Sequence, residues 1–208
     1  MPHGVPVEAS EPVTTEADDA LIVVDLQNDF LPGGSLPVAE GNRVFVPINA
    51  LMPRFQHVYA TRDWHPRHHA SFQAQGGPWP FHCLQGTPGA EFSPLLDRTE
   101  IDEVISKGVD PQTDGYSAFA GTDLAERLRR HGVRRLFVCG LATDYCVKAT
   151  ALEGLGHGFE VLVVTDAIAA VKVKPEDEAA ALEEMRRAGV RFVTSDRIRS
   201  SSPLTRSP

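Results

Sequence analysis

Six short apolar runs recur along the chain, each closed by polar or turn-forming residues: ALIVVD (20–25), HVYATR (57–62), EVISK (103–107), RRLFVCG (134–140), FEVLVVTD (159–166) and VRFVTS (190–195). Unbroken apolar runs of this length suit strands covered on both faces, as parallel strands are. Between them the spacing predicts helices over Arg43 to Phe55, Asp123 to His131, Asp144 to Leu155 and Pro175 to Ala188. The second has Leu124 and Leu128 four apart and Gly132 just past its end. The last opens on Pro175 and acidic residues and closes on Arg186, Arg187 and Gly189, which suits the helix dipole and the stop signal. Strand and helix in alternation predict an α/β fold with a parallel sheet.

Three regions break the rhythm. Residues 1–17, rich in Pro, Glu, Ser and Thr, and residues 200–208, rich in Ser and Pro, have too little apolar surface to offset ordering entropy, so both are expected to be mobile tails. A single domain over 18–199 remains. The stretch from Asp63 to Glu100 is long and irregular, with many Gly, Pro, His and aromatic residues, and such an insert in a compact domain is more often functional than idle.

Charge and cysteine usage narrow the partners. Asp plus Glu outnumber Lys plus Arg by 28 to 20, and no basic run offers a phosphate-neutralising face, which argues against nucleic acid. No apolar stretch approaches the ~20 residues that span a bilayer, which argues against a membrane. Cys83, Cys139 and Cys146 are odd in number and lack C-x-x-C spacing. A cytoplasmic, unsecreted protein with free thiols is expected.

In open α/β sheets ligands gather outside the carboxyl ends of the strands. Asp25 closes the first apolar run, Asp63 follows the second and Lys107 closes the third. Any one of these could be a turn former; three at successive strand ends point to a site. Cys146, in GLATDYCVKATA, falls in the first turn of a helix with Thr143 as its expected N-cap, where amides and dipole favour a thiolate. A small buried hydrophobe is the alternative for Cys146, and is the better reading of Cys139. Asp63, His65, His68, His69 and His82 cluster in RDWHPRHHASFQAQGGPWPFHC. Asp-x-His places two candidate ligands on one side of an extended segment, and a second histidine from across a Gly/Pro-rich turn completes a two-imidazole, one-carboxylate set with open positions. A polar surface loop is the alternative.

Together these residues resemble the isochorismatase-like cysteine hydrolases and, within them, the nicotinamidase/pyrazinamidase family. The resemblance rests on VVDLQNDFLPGGSL (23–36), TRDWHPRHHASF (61–72), GGPWPFHCLQGTPGAEF (76–92), SKG (106–108), DGYSAF (114–119) and GLATDYCVKATA (140–151). It implies a three-layer α/β/α Rossmann-like fold with a central, mainly parallel six-stranded sheet. It also implies Asp25, Lys107 and Cys146 as a catalytic triad and an oxyanion hole from the backbone N–H groups of Ala142 and Cys146, beside a cis peptide between Leu141 and Ala142. Phe30, Trp79, Tyr116 and Leu141 would bind the substrate. Asp63, His65 and His82 would hold one divalent metal ion (Zn, Fe or Mn), with His69 a fourth ligand in some members. The implied reaction is deamidation of nicotinamide to nicotinate and ammonia through a thioester, in NAD salvage, with pyrazinamide a second substrate. The small-molecule substrate is the implied partner, with a homo-oligomer left open. A related amidase acting on a carbamoyl or ureido compound is the nearest alternative. A non-haem iron oxygenase would leave Lys107 and Cys146 unexplained, and a catalytically dead binding module would not need the intact triad.

Overall fold

A computed structural model describes residues 12–200. Its centre is a six-stranded, wholly parallel sheet formed by β2 (Asp19–Val24), β3 (His57–Asp63), β4 (Glu103–Lys107), β5 (Arg135–Leu141), β6 (Glu160–Ala169) and β7 (Arg191–Val193), in the order β4-β3-β2-β5-β6-β7. A small parallel pair lies apart from it, β1 (Val13–Thr15) with β8 (Ile198–Ser200). The six expected strands are all present, and the expected α/β sheet is observed.

Alternation along the strands explains the three layers. Leu21 and Val23 of β2 point to one face and pack with Phe45, Ile48 and Leu51 of helix α1 (Phe45–Leu51). Ala20, Ile22 and Val24 point to the other, where they meet Leu124 and Leu128 of α2 (Leu124–Arg130), Ala151 of α3 (Lys148–Gly156) and Met185 of α4 (Asp177–Ala188). Both faces are thus closed to water, which is why these strands read as unbroken apolar runs.

Three differences from the sequence expectations have local causes. The helix expected over 43–55 is α-helical only over Phe45–Leu51 and tightens to 3-10 geometry over Met52–Arg54, because Pro53 has no N–H to continue the ladder. The helix expected from Asp144 begins with a π-helical turn, Thr143–Val147; Ala142 holds the N-cap position, and the Thr143 hydroxyl is buried without a hydrogen-bond partner, so Thr143 is not the cap. The expected tails are corrected at their inner ends. Val13 is buried, Val13–Thr15 pair with Ile198–Ser200, Thr15 Oγ1 donates to the Arg54 carbonyl, and Arg54 Nη1 donates to that of Ile198. Residues 1–11 and 201–208 lie outside the described residues.

The strand order reverses beside β2: the chain builds outward through β3 and β4, then returns to β5 on the other side of β2. A crevice opens at such a switch point, at the carboxyl ends of β2 and β5. Gly140 shapes it. Its φ is +111°, and a Cβ there would lie 2.2 Å from the Val24 carbonyl oxygen, so only glycine lets β5 run this close to the end of β2.

Candidate active site

Four strand ends deliver the polar residues of the crevice. Asp25 follows β2 in the left-handed region (φ 50°), Asp63 ends β3, Lys107 ends β4, and Cys146 sits in the π-helical turn after β5. All four are buried, Asp25 completely.

Lys107 is their hub. Its ammonium donates to Asp63 Oδ1 at 2.5 Å, to the Gly115 carbonyl at 2.8 Å and to Cys146 Sγ at 3.4 Å. It also forms an ion pair with Asp25 Oδ2 at 2.8 Å, and that buried oxygen has no further hydrogen-bond partner. Asp25 Oδ1 accepts from Thr61 Oγ1 at 2.6 Å. The Asp25 carboxylate and the thiol share a small space, since one ligand atom each from Asp25, Asp63 and Cys146 lie within 4.8 Å of one another.

Burial sets the protonation of these groups. It pushes the Cys146 thiol well up, against the pull of Lys107, so the resting sulfur keeps its proton. Burial also raises the Asp25 carboxyl, again opposed by Lys107, and so makes it a stronger base than an ordinary aspartate. Burial alone would neutralise Lys107, but Asp25 and Asp63 outweigh it and hold the ammonium charged. For Asp63 burial is likewise outweighed, chiefly by the Lys107 ammonium, and the carboxylate stays ionised.

On its far side Asp63 faces two histidines. Oδ2 lies 3.3 Å from His65 Nε2 and 3.9 Å from His82 Nε2. Each imidazole spends its Nδ1–H on a carbonyl, Gly108 for His65 (2.9 Å) and Pro80 for His82 (2.8 Å), which turns both Nε2 lone pairs toward that oxygen. Lone pairs converging on an anionic oxygen need a cation between them, and this donor set suits a borderline divalent ion. Gly108 permits the arrangement; a Cβ there would lie 2.3 Å from the His65 ring. His69 lies against His65, with ring centroids 4.0 Å apart and the planes tilted by 37°. Its Nδ1 is 2.7 Å from Ser71 Oγ, and its Nε2 is buried with no hydrogen-bond partner. Burial pulls His69 down to about 4, so the ring is neutral. His68 is exposed and apart from the cluster.

Cys146, Asp63 and His82 line one pocket of about 350 Å³ including its mouth, with His65 and His69 set behind them. Of the residues expected to line it, Phe30, Trp79 and Tyr116 do, and Ala142 joins them. Trp79 Nε1 donates to Tyr116 Oη at 2.9 Å, which fixes two walls against each other. Leu141 does not line it. Its side chain packs in the core beside Gly41, while Ala142 faces the pocket. Leu36, Tyr145 and Val171 also line the pocket and were not expected. Tyr145 was readable in principle as the neighbour of Cys146, whereas Leu36 and Val171 arrive on loops distant in sequence. The Leu141–Ala142 peptide is cis.

Comparison with known proteins agrees with this geometry. The isochorismatase domain family matches residues 19–197. The nicotinamidase of Escherichia coli is 42% identical over 200 residues, covering 84% of this chain and 94% of that protein. Among solved structures, the pyrazinamidase of Pyrococcus horikoshii in complex with zinc is 51% identical, with a TM-score of 0.79 over 85% of this chain and 99% of that one. PnC1 from L. infantum in complex with nicotinate is 42% identical, with a TM-score of 0.85 over 90% and 98%. The chain belongs to the isochorismatase domain family, and its relatives within that family include nicotinamidases and pyrazinamidases.

Proposed function

We propose that this protein is a nicotinamidase, hydrolysing nicotinamide to nicotinate and ammonia through a thioester on Cys146, with pyrazinamide as a second substrate and NAD salvage in the cytoplasm as its setting. The observation that carries the reading is the single buried network joining Cys146 through Lys107 to Asp63, which His65 and His82 share, beside an aromatic pocket lined by Cys146, Asp63 and His82. The reading is supported further by the similarity to enzymes named for this activity.

In this mechanism Asp25 takes the thiol proton through Oδ2 as sulfur attacks the carboxamide carbon, and Lys107 balances the negative charge gathering on sulfur and carboxylate. Backbone N–H groups of Ala142 and Cys146 receive the oxyanion. Asp25 then returns the proton to the leaving ammonia, and a water attacking the thioester passes its own proton to the same carboxylate. Phe30, Trp79 and Tyr116 hold the flat ring. Asp63, His65 and His82, whose ligand atoms converge within 4.8 Å of one another, would hold a divalent metal, zinc, iron or manganese, and His69 stands outside that group. When bound, such an ion would supply Lewis acidity that helps orient and polarise the substrate.

The test is release of ammonia and nicotinate from nicotinamide by purified protein, beside a Cys146→Ala variant and a metal-stripped sample. Activity in the wild type and loss in both controls is the expected result. A metal-replete wild type that makes no nicotinate moves the assignment to a carbamoyl or ureido substrate.

A further inference from the structure

Gln27 is wholly buried, belongs to neither the triad nor the histidine cluster, and makes a set of contacts that its place in the chain does not require. Strand β2 stops pairing with β3 at Val23–Ala60, and its chain turns away at Asp25, whose N–H donates to the Thr61 carbonyl. Asp63 is two residues further along β3 and has lost its partner on that side. The Gln27 side chain takes the place of the missing strand. Its Oε1 accepts the Asp63 N–H at 2.7 Å, and its Nε2 donates to the Asp63 carbonyl at 2.7 Å, the pair of bonds a neighbouring parallel strand would make. The second amide hydrogen goes to the Ala90 carbonyl at 2.8 Å. A carboxamide offers one strong acceptor and two donors, and here all three are used.

On its opposite side Asp63 is held by β4, with register Asp63↔Lys107 and the Trp64 N–H donating to the Lys107 carbonyl. The backbone of Asp63 is thus fixed from both flanks while its carboxylate serves two sites, Oδ1 toward Lys107 and Oδ2 toward His65 and His82. Gln27 is itself anchored, through a bridge to Phe92 and through its own N–H to the Asp25 carbonyl. One amide therefore ties the end of β2, which carries Asp25, to the end of β3, which carries Asp63.

We infer that Gln27 is a positioning residue for Asp63, holding its carboxylate where the ammonium of Lys107 and the divalent cation can share it. The inference rests on the metal-dependent reading above. Gln27→Met keeps the length of the side chain and removes every hydrogen bond. Gln27→Glu keeps the shape and the acceptor for the Asp63 N–H but sets a carboxylate oxygen against two carbonyls.

The experiment measures Zn²⁺ affinity by competition with a chromophoric chelator for the wild type and both variants, at a temperature where circular dichroism shows the variant cooperatively folded. Loss of a hydrogen bond behind a metal ligand weakens metal binding by about 10- to 100-fold, and at least tenfold weaker Zn²⁺ binding by a folded variant, with kcat falling more than KM rises on reloading with excess metal, is the expected result. Folded variants that bind Zn²⁺ within twofold of the wild type overturn the inference. Because the primary readout is binding, the comparison stands even if the wild type turns over a different amide. A wild type that takes up no divalent ion overturns the inference together with the metal site.

Discussion

A thiol held protonated by burial needs a base within reach, and Asp25 is the carboxylate beside it whose basicity burial has raised. Removing the sulfur should therefore end turnover and leave the metal in place: Cys146→Ala is expected to show no measurable nicotinate formation with an unchanged metal content by elemental analysis. The Thr61 hydroxyl stabilises the charged form of Asp25, pulling its pKa down. Without it the carboxylate protonates at higher pH, so Thr61→Val should move the acid limb of the kcat/KM profile upward from its wild-type position; a downward shift would contradict the role of Asp25 as base. Lys107 presents the larger energetic stake. Two buried carboxylates depend on one ammonium, and breaking a buried pair by deleting one partner costs about 3 to 5 kcal/mol. Lys107→Met is expected to lose activity and that much unfolding free energy at pH 7, read from urea titration.

At the scale of elements, the site is assembled from loops that leave four neighbouring strands at the same edge of the sheet. Most of this was legible in the sequence. Asp25, Asp63 and Lys107 close apolar runs, and a polar residue ending a strand run has few reasons to be there other than a turn or a site. What was not legible came from long-range packing. Leu36 and Val171 reach the pocket on loops whose paths depend on the folded whole, and Leu141 was misplaced because its side chain packs into the core against Gly41, a contact across a hundred residues of sequence. Gln27 reads as an ordinary turn residue in DLQNDF; nothing local says that its amide will stand in for a strand. Val13–Thr15 carries one large apolar residue, too little pattern to announce β1. Gly140 is where an element-scale prediction is sharpest. Gly140→Ala brings a Cβ against the Val24 carbonyl at a φ open to glycine alone, and it should lower stability by about 1 to 3 kcal/mol in denaturant titration with a matching loss of activity.

Across the whole molecule, burial raises all three tyrosines. Tyr59, packed near Glu103 and Asp102, is pushed up to about 12, and Tyr116 and Tyr145 are raised as well. Between about pH 10 and 12 the unfolded chain has released the Tyr59 proton while the folded one keeps it, so the unfolded state binds fewer protons and stability falls as pH rises. Absorbance at 295 nm should titrate later in native protein than in urea, and the urea midpoint should drop across the same window. Among the described residues no helix is long and apolar enough to cross a membrane.

The pairing of β1 with β8 lays the two ends of the described chain side by side, in parallel and in register from Val13↔Ile198 to Thr15↔Ser200. In space the polypeptide is nearly a closed ring, and where a ring is cut matters less than what it encloses. A circular permutant that joins residue 200 to residue 12 by a short Gly/Ser linker and opens at the exposed turn around Gly132, on the surface between α2 and β5, keeps every strand neighbour of the six-stranded sheet. The position of the ends is then a matter of bookkeeping in the gene, while the order of strands around the crevice is what the chemistry requires.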